Sequence, residues 1–590
     1  MTRWCFQSPI KMEKVPLNSG GKSEYGLIES DIHIRNNSNR VPSIDFLPQK
    51  FWTRVIPAVG FVALVSVVAF IFFRSSGETV TPIEGNLQAT AELETVAYID
   101  LEAKQGRIRG YVRNTRQGRN YLAFYKIPFA QPPVGSLRFQ EPSLQALGKP
   151  QCLQRIKYSP VIEAGGEEDC LNLNLYTPSV QNKSAFPTMV YIHGGGFTDG
   201  NGSRYGAEYF LDENVVLITI HYRLAALGFL NSEDGVFPGN VGFKDQLMAL
   251  RWVKTTLLTG GMSVAFQMVS PLSSGLFHQA ISQSGASVCN TLDLFSDNPL
   301  QRLREVAEEL NCPSNGTTAE IMECFMSKPA SEIAIARPSA ENGHFAASID
   351  TNSPNSPYKI LKDKKANSVP YILGIVTAEW LFDALAVLHD PELVKNLNEN
   401  WADFAGELLT LKDVTNEELD SIKTFYFGEN LIGNETTVNL TNLISDRTVN
   451  HCSYMSATMH AQLAESYLYY ISKPPAKSYA EKVDPNFNAK SYGFLAHADE
   501  LQYQFPYYGY PEIPFGDPEY YHFSEYFIKL WAQFAATGNP SGMNGLEWQS
   551  SPSREGAFWF ELNDNPGRTH ILDERMQFWD QFTDSQLKLE

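Results

Sequence analysis

The sequence predicts an α/β fold, a mostly parallel sheet with helices between its strands, standing behind one membrane-spanning helix. Three observations carry this. TMVYIH (188–193), VVLITI (215–220), VPYILGIV (369–376) and YLYYI (467–471) are short, continuous apolar runs bounded by turn residues, the pattern of strands buried on both faces. Phe243, Leu247 and Leu250 recur at i, i+4 and i+7, which makes KDQLMALRWVK an amphipathic helix, and strands alternating with helices imply a parallel sheet. Val55 to Phe73 contains no charge and is close to the ~20 residues needed to cross a bilayer.

Residues 1–54 are rich in Ser, Asn, Pro and charge, and read as a disordered tail. The run 55–73 follows too long a leader for a cleaved signal peptide and lacks the polar stripe of a soluble helix. Lys50 and Arg54 abut it on one side, whereas Glu78, Glu84, Glu92 and Glu94 follow it on the other. The positive-inside rule then places the N-terminus in the cytosol and the rest outside the cell or in a lumen. Residues 75–94 form a polar stalk, and 95–582 a globular ectodomain opening on a hairpin around Gly106.

Six of the seven cysteines follow the span, in a compartment where they can pair; Cys5 should stay reduced. Acceptor triplets for N-glycosylation lie there at Asn182, Asn201, Asn315, Asn434 and Asn439, while that at Asn36 falls on the cytosolic side. The net charge of −19 argues against nucleic acid as a partner, because phosphate binding needs the opposite sign.

The blocks FYKIPFAQPPVGSLRF (124–139), EEDCLNLNLYTP (167–178), YIHGGGF (191–197), HYRLAALGFL (221–230), PGNVGFKDQLMALRWV (238–253), SPLSSGLFHQAISQSGAS (270–287), FAATGNP (534–540) and RMQFWD (575–580) resemble, in order, the signature blocks of type-B carboxylesterases. That family includes carboxylesterases, cholinesterases and adhesion molecules such as neurotactin, which shares the order of tail, span and ectodomain. The resemblance implies an α/β-hydrolase fold over 95–582 as one large unit, no cofactor and no metal. It implies acyl transfer through Ser, Glu and His in that chain order.

By resemblance the base is His497, whose neutral imidazole can take a proton and return it. The acid is Glu379, which would hold the tautomer of that imidazole. Trp380 stands where the family usually has Gly, so the turn should differ. Gly195 and Gly196, in the HGGG after a strand, map to the backbone donors for a developing oxyanion. The resemblance also implies disulfides Cys152–Cys170 and Cys312–Cys324, leaving Cys289 and Cys452 to pair or stay free. Between Cys152 and Cys170 there is no Trp, only Tyr158, which disfavours a cholinesterase, since its ammonium site needs a Trp face.

The nucleophile is missing. In the family a helix ending in RWV leads through a turn and a strand into a Gly-Glu-Ser-Ala-Gly-Gly elbow. Here Arg251-Trp-Val-Lys254 is followed by TTLLTGG and then a helix from near Met262. Alignment on Gly260 and Gly261 puts Leu258 at the serine, Leu257 at the glutamate and Thr259 at the third oxyanion donor. About fifteen residues are absent, enough to remove the turn, the strand and the elbow together. No G-x-S-x-G occurs in the chain. Ser263 and Ser284 are the candidate substitutes, and each would need a base in hydrogen-bond reach.

The sequence therefore implies a membrane-anchored esterase relative, inactive as written, as an isoform or incomplete form. A small ester would be its substrate only with the elbow restored. The other reading is a non-catalytic adhesion or binding ectodomain with a protein ligand. The central strand should be lacking between VVLITI and the strand near AISQSG, leaving a slot one strand wide. The hydrolase outline should survive with His497 and Glu379 adjacent, and Thr255 to Leu258 should be the anomalous segment.

Overall fold

The apolar runs become the middle of one large sheet in the computed structural model. It describes the backbone of residues 2–6 and residues 97–582, apart from 104–105, 141–150, 157–160, 181–185, 255–261, 289–294, 297, 339–344, 346, 349–354, 412–413, 507–517, 543–544 and 552–556. The span 55–73, the stalk 75–94, the tail from residue 7 onward, Asn182, Cys289 and the segment Thr255–Gly261 with Leu257, Leu258 and Thr259 lie outside the described residues. Among those described, no helix is long and apolar enough to cross a membrane. The chain groups into one unit of Met1–Ser30 with Asp100–Glu590 and a second of Asp31–Ile99, of which only 97–99 are described.

Twelve strands among the described residues make the main sheet: β1 (Thr2–Phe6), β2 (Tyr98–Ala103), β3 (Gly106–Asn114), β4 (Asn120–Pro128), β5 (Asn172–Thr177), β6 (Thr188–Ile192), β7 (Val216–Ile220), β8 (Gln279–Gln283), β9 (Tyr371–Val376), β10 (Ser466–Ile471), β11 (Trp559–Leu562) and β12 (Gly567–Thr569). Their order is β12-β11-β10-β9-β8-β1-β6-β7-β5-β4-β3-β2. The expected strands are all present, and β6 to β10 are buried along their whole length. Pairing is parallel for β6–β7, β8–β9, β9–β10 and β10–β11. The hairpin expected around Gly106 is the edge pair β2 and β3.

Between β6 and β8, where the sequence leads one to expect an empty slot, the sheet is continuous through β1. Strand β1 runs antiparallel to both neighbours, with Trp4 opposite Val190 and Ala280. Residues 2–6 thus differ from the disordered tail expected of 1–54. The physical reason is the demand of two adjacent ladder edges, each a row of buried N–H and C=O groups that need partners.

Helix α1 (Val241–Lys254) ends where expected and α2 (Met262–Val269) begins where expected. The start of α1 is pinned by Asp245, which accepts from the backbone N–H and the guanidinium of Arg223. Helices α3 (Leu381–Leu388), α4 (Thr437–Ser445) and α6 (Asp573–Asp580) share an apolar cluster containing Ala384, Leu440, Leu443 and Trp579. Helix α5 (Pro518–Thr537) covers the sheet with Phe527, Trp531 and Phe534.

Close packing fixes one glycine at the centre. Gly374 on β9 faces Tyr469 on β10, and a Cβ there would lie 2.2 Å from the tyrosine ring. Both strands are fully buried, so the ring has little room to move. Gly374→Ala should lower stability by about 1–3 kcal/mol through overpacking, read as a lower urea midpoint at unchanged slope. An unchanged midpoint would show that β9 and β10 are less tightly apposed than described.

Candidate functional site

The loop that follows β9 and the loop beyond β10 meet at Glu379 and His497. Glu379 lies three residues past the end of β9 and is fully buried. Its Oε1 accepts from the Val376 N–H at 2.9 Å, and its Oε2 lies 2.7 Å from Nδ1 of His497. A carboxylate so placed fixes one imidazole tautomer, with the proton on Nδ1 and the lone pair on Nε2. His497 Nε2 hydrogen-bonds to no described residue.

Backbone contacts set the approach of the two loops. Ala378 donates to Leu495 O at 3.0 Å, Leu495 donates to Thr377 Oγ1 at 2.7 Å, and Ala378 bridges Ala496. Asp499, buried two residues after the histidine, accepts from Ala496 N, Ser478 Oγ and Tyr479 N. Trp380 has φ −112°, which any residue adopts, so the turn needs no glycine. Its ring meets the imidazole edge-on at 5.2 Å, and its N–H donates to Ser445 Oγ at the end of α4.

The glycine loop follows β6. Gly195 and Gly196 have φ of +124° and +58°, left-handed values that favour glycine. A Cβ on Gly195 would lie 2.0 Å from Asp199 O. Their own N–H groups donate to no described residue, which leaves them open to an anion. His193 before them is structural: its ring stacks on Tyr222 at 4.6 Å and its carbonyl accepts from Tyr222 Oη. Burial pulls its pKa down to about 4, so it is neutral at pH 7.

Neither candidate serine is held by His497. Ser263 Oγ on α2 accepts from Gln246 Nε2 at 2.7 Å and bonds with the Tyr222 phenol. Ser284, just past β8, is buried with φ +53° and an Oγ that bonds to no described residue. The disulfides Cys152–Cys170 and Cys312–Cys324 are formed, as the resemblance implies, and Cys452 is also disulfide-bonded. Among the described residues no group of three His, Cys, Asp or Glu is placed to hold a metal.

Two further acids crowd the imidazole, and the sequence reading missed both. Glu500 is buried and accepts from Gln283 Nε2 at 2.9 Å, while Gln283 Oε1 faces Trp531 Nε1. Burial raises its pKa, the charge of Glu379 adds to the rise, and His497 opposes it. Asp383 on α3 is exposed to solvent; desolvation raises its pKa, against the pull of His497, and water screens its charge.

The carboxylesterase family model matches residues 98–579. The chain is 31% identical over 503 residues to a carboxylic ester hydrolase of Bombus ignitus, covering 78% of this chain and 89% of that one. It is 31% identical over 513 residues to juvenile hormone esterase of Tribolium castaneum, covering 76% and 85%. It is 28% identical over 546 residues to carboxylesterase 3 of Homo sapiens, covering 85% and 93%.

The buried His193 makes a pH prediction. Its folded pKa of about 4 lies below the ordinary 6.5, so the unfolded state takes the proton first. The stability it contributes is full above pH 6.5 and is lost as pH falls through 4, by about 3 kcal/mol. Replacing it, as in His193→Gln, should reduce the acid-side loss by that amount, measured by urea unfolding at pH 6.5 and pH 4. An unchanged loss would mean that His193 is not buried as a neutral ring.

Proposed function

Because the chain belongs to the carboxylesterase family, whose fold is the α/β-hydrolase fold and whose reaction is hydrolysis of carboxylic esters, we propose that it is a membrane-anchored esterase form that lacks its nucleophile. The carrying observation is Glu379 bound to His497 at 2.7 Å, with Nε2 engaged by no described residue. Among the described residues, a base oriented for proton transfer has nothing to deprotonate. The alignment of Leu258 with the nucleophile position supports this reading, and so does the engagement of Ser263 by Gln246. Retention of the dyad and the glycine loop favours an isoform or incomplete form of an esterase. The small ester its relatives would suggest becomes a substrate when an elbow is restored between Lys254 and Gly260. The ring of Trp380 against His497 favours the second reading, a binding ectodomain with a protein ligand, because it adds an apolar wall beside an idle base.

Anchoring and the position of β1 exclude each other in one molecule. If residues 55–73 span a bilayer, residues 2–6 lie across it from the sheet. The magnitudes favour the span. Thirteen of its nineteen residues are Val, Ile, Leu or Phe, worth roughly 4–8 kcal/mol on insertion. The hydrogen bonds of a five-residue strand return about 1 kcal/mol each, against about 1–2 kcal/mol per residue for ordering its backbone.

Two measurements test the reading. A fluorophosphonate probe should label no serine of the full chain, whereas a chain with an elbow-bearing insert between Lys254 and Gly260 should be labelled and should lose hydrolysis on His497→Gln. Labelling of the chain as it stands, at Ser263 or Ser284, would refute the missing nucleophile. Removal of residues 2–6 should leave the melting temperature of the anchored protein unchanged; a lowered one would overturn the anchoring.

A further inference from the structure

The acceptor triplets are alike in sequence and unlike in the fold. Asn315 is exposed in the turn before Thr317, inside the Cys312–Cys324 loop, and its side chain bonds to no described residue. Asn434 is exposed, its side chain likewise unengaged, in the short turn that leads into α4. A sugar on either amide points into solvent.

Asn201 and Asn439 are built into their surroundings. Asn201 Oδ1 accepts from Ser203 N at 2.7 Å and lies 3.0 Å from His221 Nε2, while its Nδ2 donates to Gln151 Oε1 at 2.5 Å. His221 is itself buried against Asn172. The middle residue, Gly202, is buried so tightly against β7 that a Cβ would lie 2.5 Å from Ile220 O. Asn439 Nδ2 donates to Tyr426 O at 2.7 Å, and Leu440 and Thr441 beside it are fully buried in α4. A bulky hydrophilic glycan belongs on a surface. One attached at Asn201 or Asn439 would have to enter these contacts, and a chain carrying it would not reach this fold.

We propose that folded molecules of this protein carry N-linked glycans at Asn315 and Asn434 and none at Asn201 or Asn439. The proposal rests on the lumenal placement of the domain argued above, which also leaves Asn36 bare. The full chain, expressed in insect or mammalian cells, is tested in two ways. Enzymatic deglycosylation in heavy-oxygen water followed by peptide mapping reads each site, and protease treatment of sealed microsomes reads the placement. The expected result is a protected domain modified at Asn315 and Asn434, with Asn315→Gln and Asn434→Gln each removing one glycan from the gel shift and Asn201→Gln and Asn439→Gln removing none. Modification of Asn201 or Asn439 in the folded protein overturns the proposal while the placement stands, as does a protected domain bare at Asn315 and Asn434. Digestion of the domain from outside the microsomes, or a glycan at Asn36, overturns the placement and the proposal with it.

Discussion

Backbone pairing across the gap between β6 and β8 is the constraint on which the rest of the sheet depends. Both strands are buried along their length, so every N–H and C=O on their facing edges must be partnered inside the protein. Each already has a parallel neighbour on its outer side, β7 and β9. Whatever fills the gap joins two half-sheets, one of β8 to β12 and one of β6, β7 and β5 to β2.

That division explains why the pairing of Glu379 with His497 does not depend on what fills the gap. Glu379 follows β9 and His497 lies beyond β10, so both belong to one half. The contacts that position them, Val376 N to Glu379 and Ala378 N to Leu495 O, do not cross the gap. Gly195 and Gly196 follow β6 in the other half. An elbow on the central strand would stand between them, which is where a nucleophile must be to meet a base on one side and oxyanion donors on the other.

The central strands were legible because burial on both faces makes them continuous apolar runs, and the dyad was legible because its motifs lie in order along the chain. Other features left no local signature. TRWCF sits in a polar, charged stretch, and its pairing depends on strand edges some hundreds of residues away. The burial of Glu500 arises from β8 and α5, through Gln283 and Trp531, packing on it, a product of tertiary packing that spacing alone does not reveal. The same holds for the glycosylation triplets: Asn201 and Asn315 read alike, and only the placement of His221 and Gln151 separates them.

Trp380 carries a consequence for how this site can vary. At φ −112° its backbone demands no particular residue type, unlike Gly195 at φ +124°. Substitution at Gly195 is barred by conformation and by Asp199 O. Substitution at 380 is free of conformational penalty, so the residue there is chosen by what its side chain touches. It touches the imidazole on one side and the apolar cluster of α4 and α6 on the other. Position 380 is therefore a place where the surface beside His497 can be reshaped without disturbing the turn that holds Glu379.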